Sequence, residues 1–142
     1  MIKKIAVALA ALGAITITLA PPSYASPSLF STSCSPGTTE IIDNVLLKTC
    51  LDWRMGMARV RTEIFNLNHE ISGQLAFTTQ EINGTSVSGT DCQPKPLSGI
   101  GAVIYCTSDW RMVGGSAGAS AEGWIFYQNA WRRASDVAVF AP

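Results

Sequence analysis

Charge is scarce in this chain, histidine occurs once, and long apolar runs are confined to the first twenty residues. Charged residues make up 14% of the sequence, ten basic against ten acidic. No cluster of Lys or Arg is dense enough to follow a phosphate backbone, so nucleic acid is not an expected partner. The single histidine, His69, is distant in sequence from every cysteine, and no Cys-x-x-Cys pair occurs. Zinc sites need closely spaced thiolate or imidazole ligands, so no metal and no cofactor is expected. Beyond Ala20 nothing approaches the roughly 20 apolar residues that a spanning helix requires.

What is present begins with a leader. Lys3 and Lys4 precede an apolar run from Ile5 to Ala20, Pro21 and Pro22 interrupt it, and Ser23-Tyr24-Ala25 puts small residues at both positions a signal peptidase reads. A basic start, a short apolar centre and a small-x-small exit form a secretory signal, with cleavage expected after Ala25. No cysteine stands at that point, so no lipid anchor is expected and the product should be a secreted, extracytoplasmic protein without stable membrane insertion. Losing residues 1–25 removes two basic residues and no acidic ones, so eight against ten leaves a formal charge of −2. The 117 remaining residues (142 less 25) suit one domain.

Cys34, Cys50, Cys92 and Cys106 all follow the leader. An even count in a small exported domain reads as two disulfides, for which four cysteines allow three connectivities. An internal repeat chooses among them. Cys34-Ser35-Pro36 is echoed by Cys92-Gln93-Pro94, Asp52-Trp53-Arg54-Met55 by Asp109-Trp110-Arg111-Met112, and Ile64-Phe65 with Asn68 by Ile125-Phe126 with Asn129. Matched landmarks in one order point to tandem duplication. Residues 26–33 then form a loose lead-in, residues 34–88 one repeat and residues 92–142 the other, within a single domain spanning 34–142. Equivalent halves favour the local pairs Cys34–Cys50 and Cys92–Cys106 over Cys34–Cys92 with Cys50–Cys106. The halves are expected to pack about a pseudo-two-fold axis.

Periodicity indicates strands. Ala58 to Ile64 alternates apolar residues and Thr62 with Arg59, Arg61 and Glu63, as a half-buried strand does. Ser72 to Thr79 alternates too, with Gly73, Leu75 and Phe77 assigned to the inner side. Asn83-Gly84 is the dipeptide best suited to a tight hairpin. Ile100 to Cys106, Gly123 to Tyr127 and Ser135 to Phe140 read as further strands, with Gln128-Asn129-Ala130 as a turn. Glu40 to Thr49 fits a helical turn or two as well as a strand. Val113 to Ser120 reads as an inserted loop of small residues. The fold class is therefore all-β, a small disulfide-stabilised antiparallel sandwich or barrel built from two tandem β repeats.

Candidate chemistry is thin. Gly114-Gly115-Ser116-Ala117-Gly118 has the letters of a nucleophilic serine elbow. The histidine of that hydrolase order should follow the serine, yet His69 precedes it, and the chain is too short for the fold. His69 itself has no nameable partner and no counterpart in the second half, where Ala130 stands. Asp52 and Asp109 invite a glycosidase pairing, but equivalent surroundings would leave two carboxylates with matched acidity, whereas that reaction needs them pushed apart. Each Asp is expected to pair with an Arg or to end a strand.

The repeated Asp-Trp-Arg supplies the candidate ligand-binding residues, Asp52, Trp53, Arg54, Asp109, Trp110 and Arg111. A tryptophan flanked by an acid and a guanidinium can stack on a sugar face while the charged groups bond its hydroxyls. The alternative is that each tryptophan covers the neighbouring cystine. Trp124, Tyr127 and Trp131 occur only in the second half, as an asymmetric aromatic face or as core. Asn83-Gly84-Thr85 also fits a glycosylation sequon, and Cys92 to Leu97, with Lys95 at its centre, forms a proline-stiffened loop of the kind protease inhibitors insert. The expected function is a non-enzymatic exported binding or interaction module for extracellular glycan, cell wall or protein. The alternatives are a secreted inhibitor or effector of an extracellular hydrolase, and a small hydrolase.

Overall fold

A computed structural model describes residues 30–140 of the chain; residues 1–25 and the first half of the expected lead-in, residues 26–29, lie outside them. The strands, in chain order, are β1 (Ser31–Cys34), β2 (Thr39–Ile42), β3 (Val45–Arg54), β4 (Met57–Asn66), β5 (Leu75–Ile82) and β6 (Thr85–Val87). They continue with β7 (Gly89–Thr90), β8 (Lys95–Pro96), β9 (Val103–Ser108), β10 (Arg111–Met112), β11 (Ala117–Tyr127) and β12 (Ala130–Phe140). Glu40 to Thr49, open between helix and strand in the sequence, is a hairpin. Among the described residues no helix is long and apolar enough to cross a membrane.

Four of the hairpins close through two-residue turns, at Asp43-Asn44, Met55-Gly56, Asn83-Gly84 and Gln128-Asn129, and all eight of these residues have positive φ. That is the type I′ geometry whose twist matches paired strands, and Asn, Asp and Gly accept it most readily. The expected turn at Asn83-Gly84 is therefore present, and that expected over Gln128-Asn129-Ala130 is the tighter Gln128-Asn129, with Ala130 opening β12.

The strands form two antiparallel sheets. The first runs β1-β3-β4-β9-β7, with β2 also on β3 and β10 also on β4. The second runs β12-β11-β5-β6, with β8 on β5. Two packed sheets make the expected sandwich, and the disulfides are the expected local pairs, Cys34–Cys50 and Cys92–Cys106. A pair of such bonds places the domain in an oxidising environment. The pseudo-two-fold arrangement of halves is not seen. β3 and β4 pair with each other in one sheet, whereas their counterparts β9 and β11 lie in different sheets.

Alternation decides what is inside. On β4, Ala58, Val60, Thr62 and Ile64 are buried and the intervening charges are not, as expected. On β5 the expected phase is reversed: Ala76, Thr78, Gln80 and Ile82 face inward, while Leu75 is exposed and Phe77 is half-buried on the outside. The expected loop at Val113 to Ser120 also proves shorter. From Ala117 onward the chain is strand, with Ala117, Ala119, Ala121 and Gly123 facing inward. A Cβ on Gly123 would come within 2.6 Å of the Ile41 Cδ1 atom, so small residues there set how closely the sheets approach. β9 starts at Val103, later than expected, and leaves Ile100 exposed in the preceding loop.

The interior holds two apolar clusters, one including Val45, Leu47, Ile64 and Ile125, the other Leu51, Val60, Ala119 and Ala138. Between them runs a buried polar layer. Thr62 and Thr78 hydroxyls meet at 2.9 Å, and Gln80 Nε2 donates to Thr62 Oγ1 at 2.8 Å and to the Cys106 carbonyl at 3.1 Å. Buried polar groups are tolerated when they bond one another, at a net gain of about 1 kcal/mol per bond.

The two long strands β3 and β4 pair with each other along their whole length, but each has an interrupted neighbour on its other side, and a side chain repairs each break. β1 pairs with β3 from Cys50 onward and β2 only up to Leu47. In the gap, Asp136 Oδ2 accepts the Thr49 N–H at 2.7 Å and the Ser35 hydroxyl at 2.7 Å. On β4, β9 stops opposite Arg61 and β10 begins opposite Ala58; there Ser108 Oγ accepts the Val60 N–H at 2.8 Å. Asp136 belongs to β12, so this one carboxylate also ties the second sheet to the first.

Candidate functional site

The outer face of the second sheet gathers aromatic rings at one end and hydroxyls and carboxylates at the other. The inward positions of β11 are small or aliphatic, which turns Ser120, Glu122, Trp124 and Phe126 outward. Directly opposed residues of antiparallel strands share a face. Register therefore sets Trp124 between Phe77 on β5 and Arg133 on β12, and Phe126 beside Trp131. The Phe77 and Trp124 rings are parallel, with centroids 5.8 Å apart and planes 5° from each other. The Arg133 guanidinium lies over the other side of Trp124, 5.2 Å from its centroid. Trp131 meets Phe77 edge-on at 5.2 Å and Phe126 at 5.3 Å. Trp124 thus lies between Phe77 and Arg133, whereas Trp131 stands steeply inclined to Phe77 and Phe126 and keeps 43% of its surface exposed.

One strand rung farther along, Glu122 stands between Thr79 and Ser135, and Ser120 is opposite Glu81. These residues, with Ser86, line an open groove of about 390 Å³. Arg133 reaches Glu122 Oε1 at 3.4 Å, and Ser120 Oγ donates to Glu81 Oε2 at 3.3 Å. Both contacts are long and exposed, so the carboxylates retain acceptor capacity for another donor.

The six Asp-Trp-Arg residues do not form two matched sites. On β3 the first copy alternates between faces. Asp52 is wholly buried on the outer side of the first sheet, accepting from Thr32 Oγ1 at 2.8 Å and Arg59 Nε at 3.0 Å, with Arg61 at 3.9 Å. Trp53 turns inward against the second apolar cluster, and Arg54 is exposed. The second copy leaves β9 as coil: Asp109 is exposed, its N–H donating to the Ser88 carbonyl at 3.1 Å, and Arg111 is exposed on β10. Trp110 packs on the first sheet's outer side, with the Arg59 guanidinium 4.7 Å from its centroid and Phe30 edge-on at 6.2 Å. Trp110 of one copy thus shares Arg59 with Asp52 of the other.

The cystine-covering role is corrected for Trp53. It occupies the opposite strand face from Cys50, since neighbouring even and odd positions of β3 point to opposite sides. The loose lead-in is corrected as well: Ser31 to Ser33 belong to β1, and Thr32 helps to enclose Asp52.

Ser116 and His69 are exposed near opposite ends of β4. Val113, three residues before Ser116, bonds to Gly56 at its start, and His69 follows its end. Ten strand residues separate those ends, about 30 Å at 3.3 Å per residue, far beyond proton-transfer reach. Lys95 is drawn into β8 against β5 and ion-paired with Asp91 at 2.9 Å, while Leu97 is fully buried. Trp124 and Trp131, left open between core and face by the sequence, are on the face. Phe77 joins them on the face because β5 has the phase opposite to the expected one.

No protein-family model, no curated protein and no solved structure matches the chain.

Proposed function

We propose that the protein is an exported binding module that takes glycan along the outer face of its second sheet. Trp131 carries this reading: an indole 43% exposed, packed against Phe77 and Phe126, on the same sheet face as the groove of hydroxyls and carboxylates and four residues along β12 from Ser135 at its edge. A pyranose ring is amphipathic. In a glycan chain, one ring can pack its C–H face on the Trp131 indole while units farther along the strand direction bond their hydroxyls to Glu122, Glu81, Ser120, Ser135 and Thr79. Prior bracing of the indole limits the entropy lost on binding. The leader-like first 25 residues and the two disulfides support export.

The site is a surface groove with hydrogen-bonding side chains, and its function in this reading is recognition without bond cleavage. The test uses the full chain expressed for export, with both disulfides formed, mixed with insoluble polysaccharides and purified cell walls. The parent is expected to be depleted from solution by at least one matrix. Trp131→Ala should stay in solution with an unchanged circular dichroism spectrum, and Arg54→Ala should be depleted like the parent. Depletion by no matrix, or equal depletion of parent and Trp131→Ala, would overturn the reading.

A further inference from the structure

We propose that Met55, Met57 and Met112 form a binding site for a soft monovalent metal ion, Cu(I) or its analogue Ag(I). This goes beyond the glycan reading and uses the opposite sheet. Apart from the initiator, the chain has only these three methionines, and the fold brings them together although Met112 is 55 residues beyond Met57 (112 less 57). Met112 and Met57 are direct partners across β10 and β4, which places their Cβ atoms about 5 Å apart on one face. Met55 is the first residue of the two-residue turn that ends at Gly56, immediately before Met57. The Gly56 carbonyl accepts the N–H groups of Val113 at 2.9 Å and Gly114 at 3.2 Å, so the segment following Met112 is fastened to that same turn. Backbone bonds thus fix the relative positions of all three, and each flexible side chain can bring its sulfur to a common point.

Their exposure points to a ligand. Met112 is 77% exposed and Met55 62%, whereas methionine normally fills cores. Packing in this sandwich therefore does not explain why both are methionine. Thioether sulfur is a soft, neutral donor that selects Cu(I) over the harder divalent ions. In this domain it is also the soft donor still free, because all four cysteines are bonded to one another. Among the described residues no three His, Cys, Asp or Glu side chains gather into a competing site. Trp110, two residues before Met112, offers its emission as a reporter of an ion bound there.

The test titrates the full chain, exported with disulfides intact, with Ag(I) in chloride-free buffer, read by native mass spectrometry and tryptophan fluorescence. One Ag(I) per chain is expected. Met57→Leu and Met112→Leu should each weaken binding by roughly tenfold or more, because one of three soft donors is lost. Leucine conserves volume and hydrophobicity, so folding should survive, as circular dichroism would report. Thioethers do not titrate, so affinity should be the same at about pH 5 and pH 8, unlike that of imidazole or carboxylate ligands. Glycan capture by the leucine variants should equal that of the parent. Ag(I) affinity unchanged in both leucine variants, or a marked loss of affinity at the lower pH, would overturn the site.

Discussion

Replacing Asp136 should cost this small domain a large part of its stability. Its carboxylate is 8% exposed and accepts the Thr49 N–H at 2.7 Å, the Ser35 hydroxyl at 2.7 Å and, at 3.4 Å, the Thr39 hydroxyl. The first two are short, charge-assisted bonds, each worth about 1.5–3 kcal/mol. Asp136→Ala loses both and leaves the Thr49 N–H inside the sandwich with no acceptor, because β1 and β2 stop on either side of it. A loss of about 3–5 kcal/mol is expected, a substantial share of the 5–15 kcal/mol typical of a domain. Asp136→Asn keeps one carbonyl oxygen and should lose about half as much. Urea unfolding with the disulfides intact measures both, and exposed Asp109→Ala is the control, expected within about 0.5 kcal/mol of the parent. Asp136→Ala unfolding within about 1 kcal/mol of the parent would refute the view that this carboxylate closes the broken ladder.

Four smaller perturbations probe other parts of the structure. Ser108→Ala removes the acceptor of the Val60 N–H and should cost about 1–2 kcal/mol by the same urea assay. Gly89→Ala would drive a Cβ into the Thr107 carbonyl and the Ser108 backbone, so β7 should lift off β9, seen as faster amide exchange at Thr90 with the rest protected. Trp53→Ala should lower thermal stability by about 2–4 kcal/mol because the ring packs on the core, while exposed Trp131→Ala should cost under about 1 kcal/mol. Replacing Cys34 and Cys50 together by serine opens a 16-residue loop and should cost about 3 kcal/mol in denaturant.

Features governed by local chemistry were legible in the sequence. Asn83-Gly84 specifies its turn by positive φ, Ala58 to Ile64 shows its phase through three alternating charges, and matched spacing selects the cystine pairs. What was not legible depends on contacts between distant segments. The β5 phase reads backwards because the polar Thr78 and Gln80 are inside, bonded to Thr62 and to the Cys106 carbonyl, while the large apolar Phe77 is outside. Val113 to Ser120 resembles a loop by composition, but from Ala117 onward its small residues lie on a strand, with Ala117 and Ala119 packed into the second apolar cluster. Asp52-Trp53-Arg54 and Asp109-Trp110-Arg111 are identical in letters, yet one is strand and the other begins in coil. Identical side chains therefore meet different surroundings. The aromatic face needed the β5-β11-β12 register, which joins Phe77 to Trp124 and Trp131 across separations that no local pattern spans.

Recognition by the second sheet's outer face is best read from the four indole N–H resonances of the folded protein, each assigned by a single Trp→Phe substitution. Soluble oligosaccharides from cell-wall and polysaccharide digests would be titrated into the labelled chain. The Trp131 signal should move in a saturable way, with Trp124 following, while Trp53 in the core and Trp110 on the other sheet stay in place. Four unmoved indoles across all digests, or shifts confined to Trp110, would contradict a glycan site on this face.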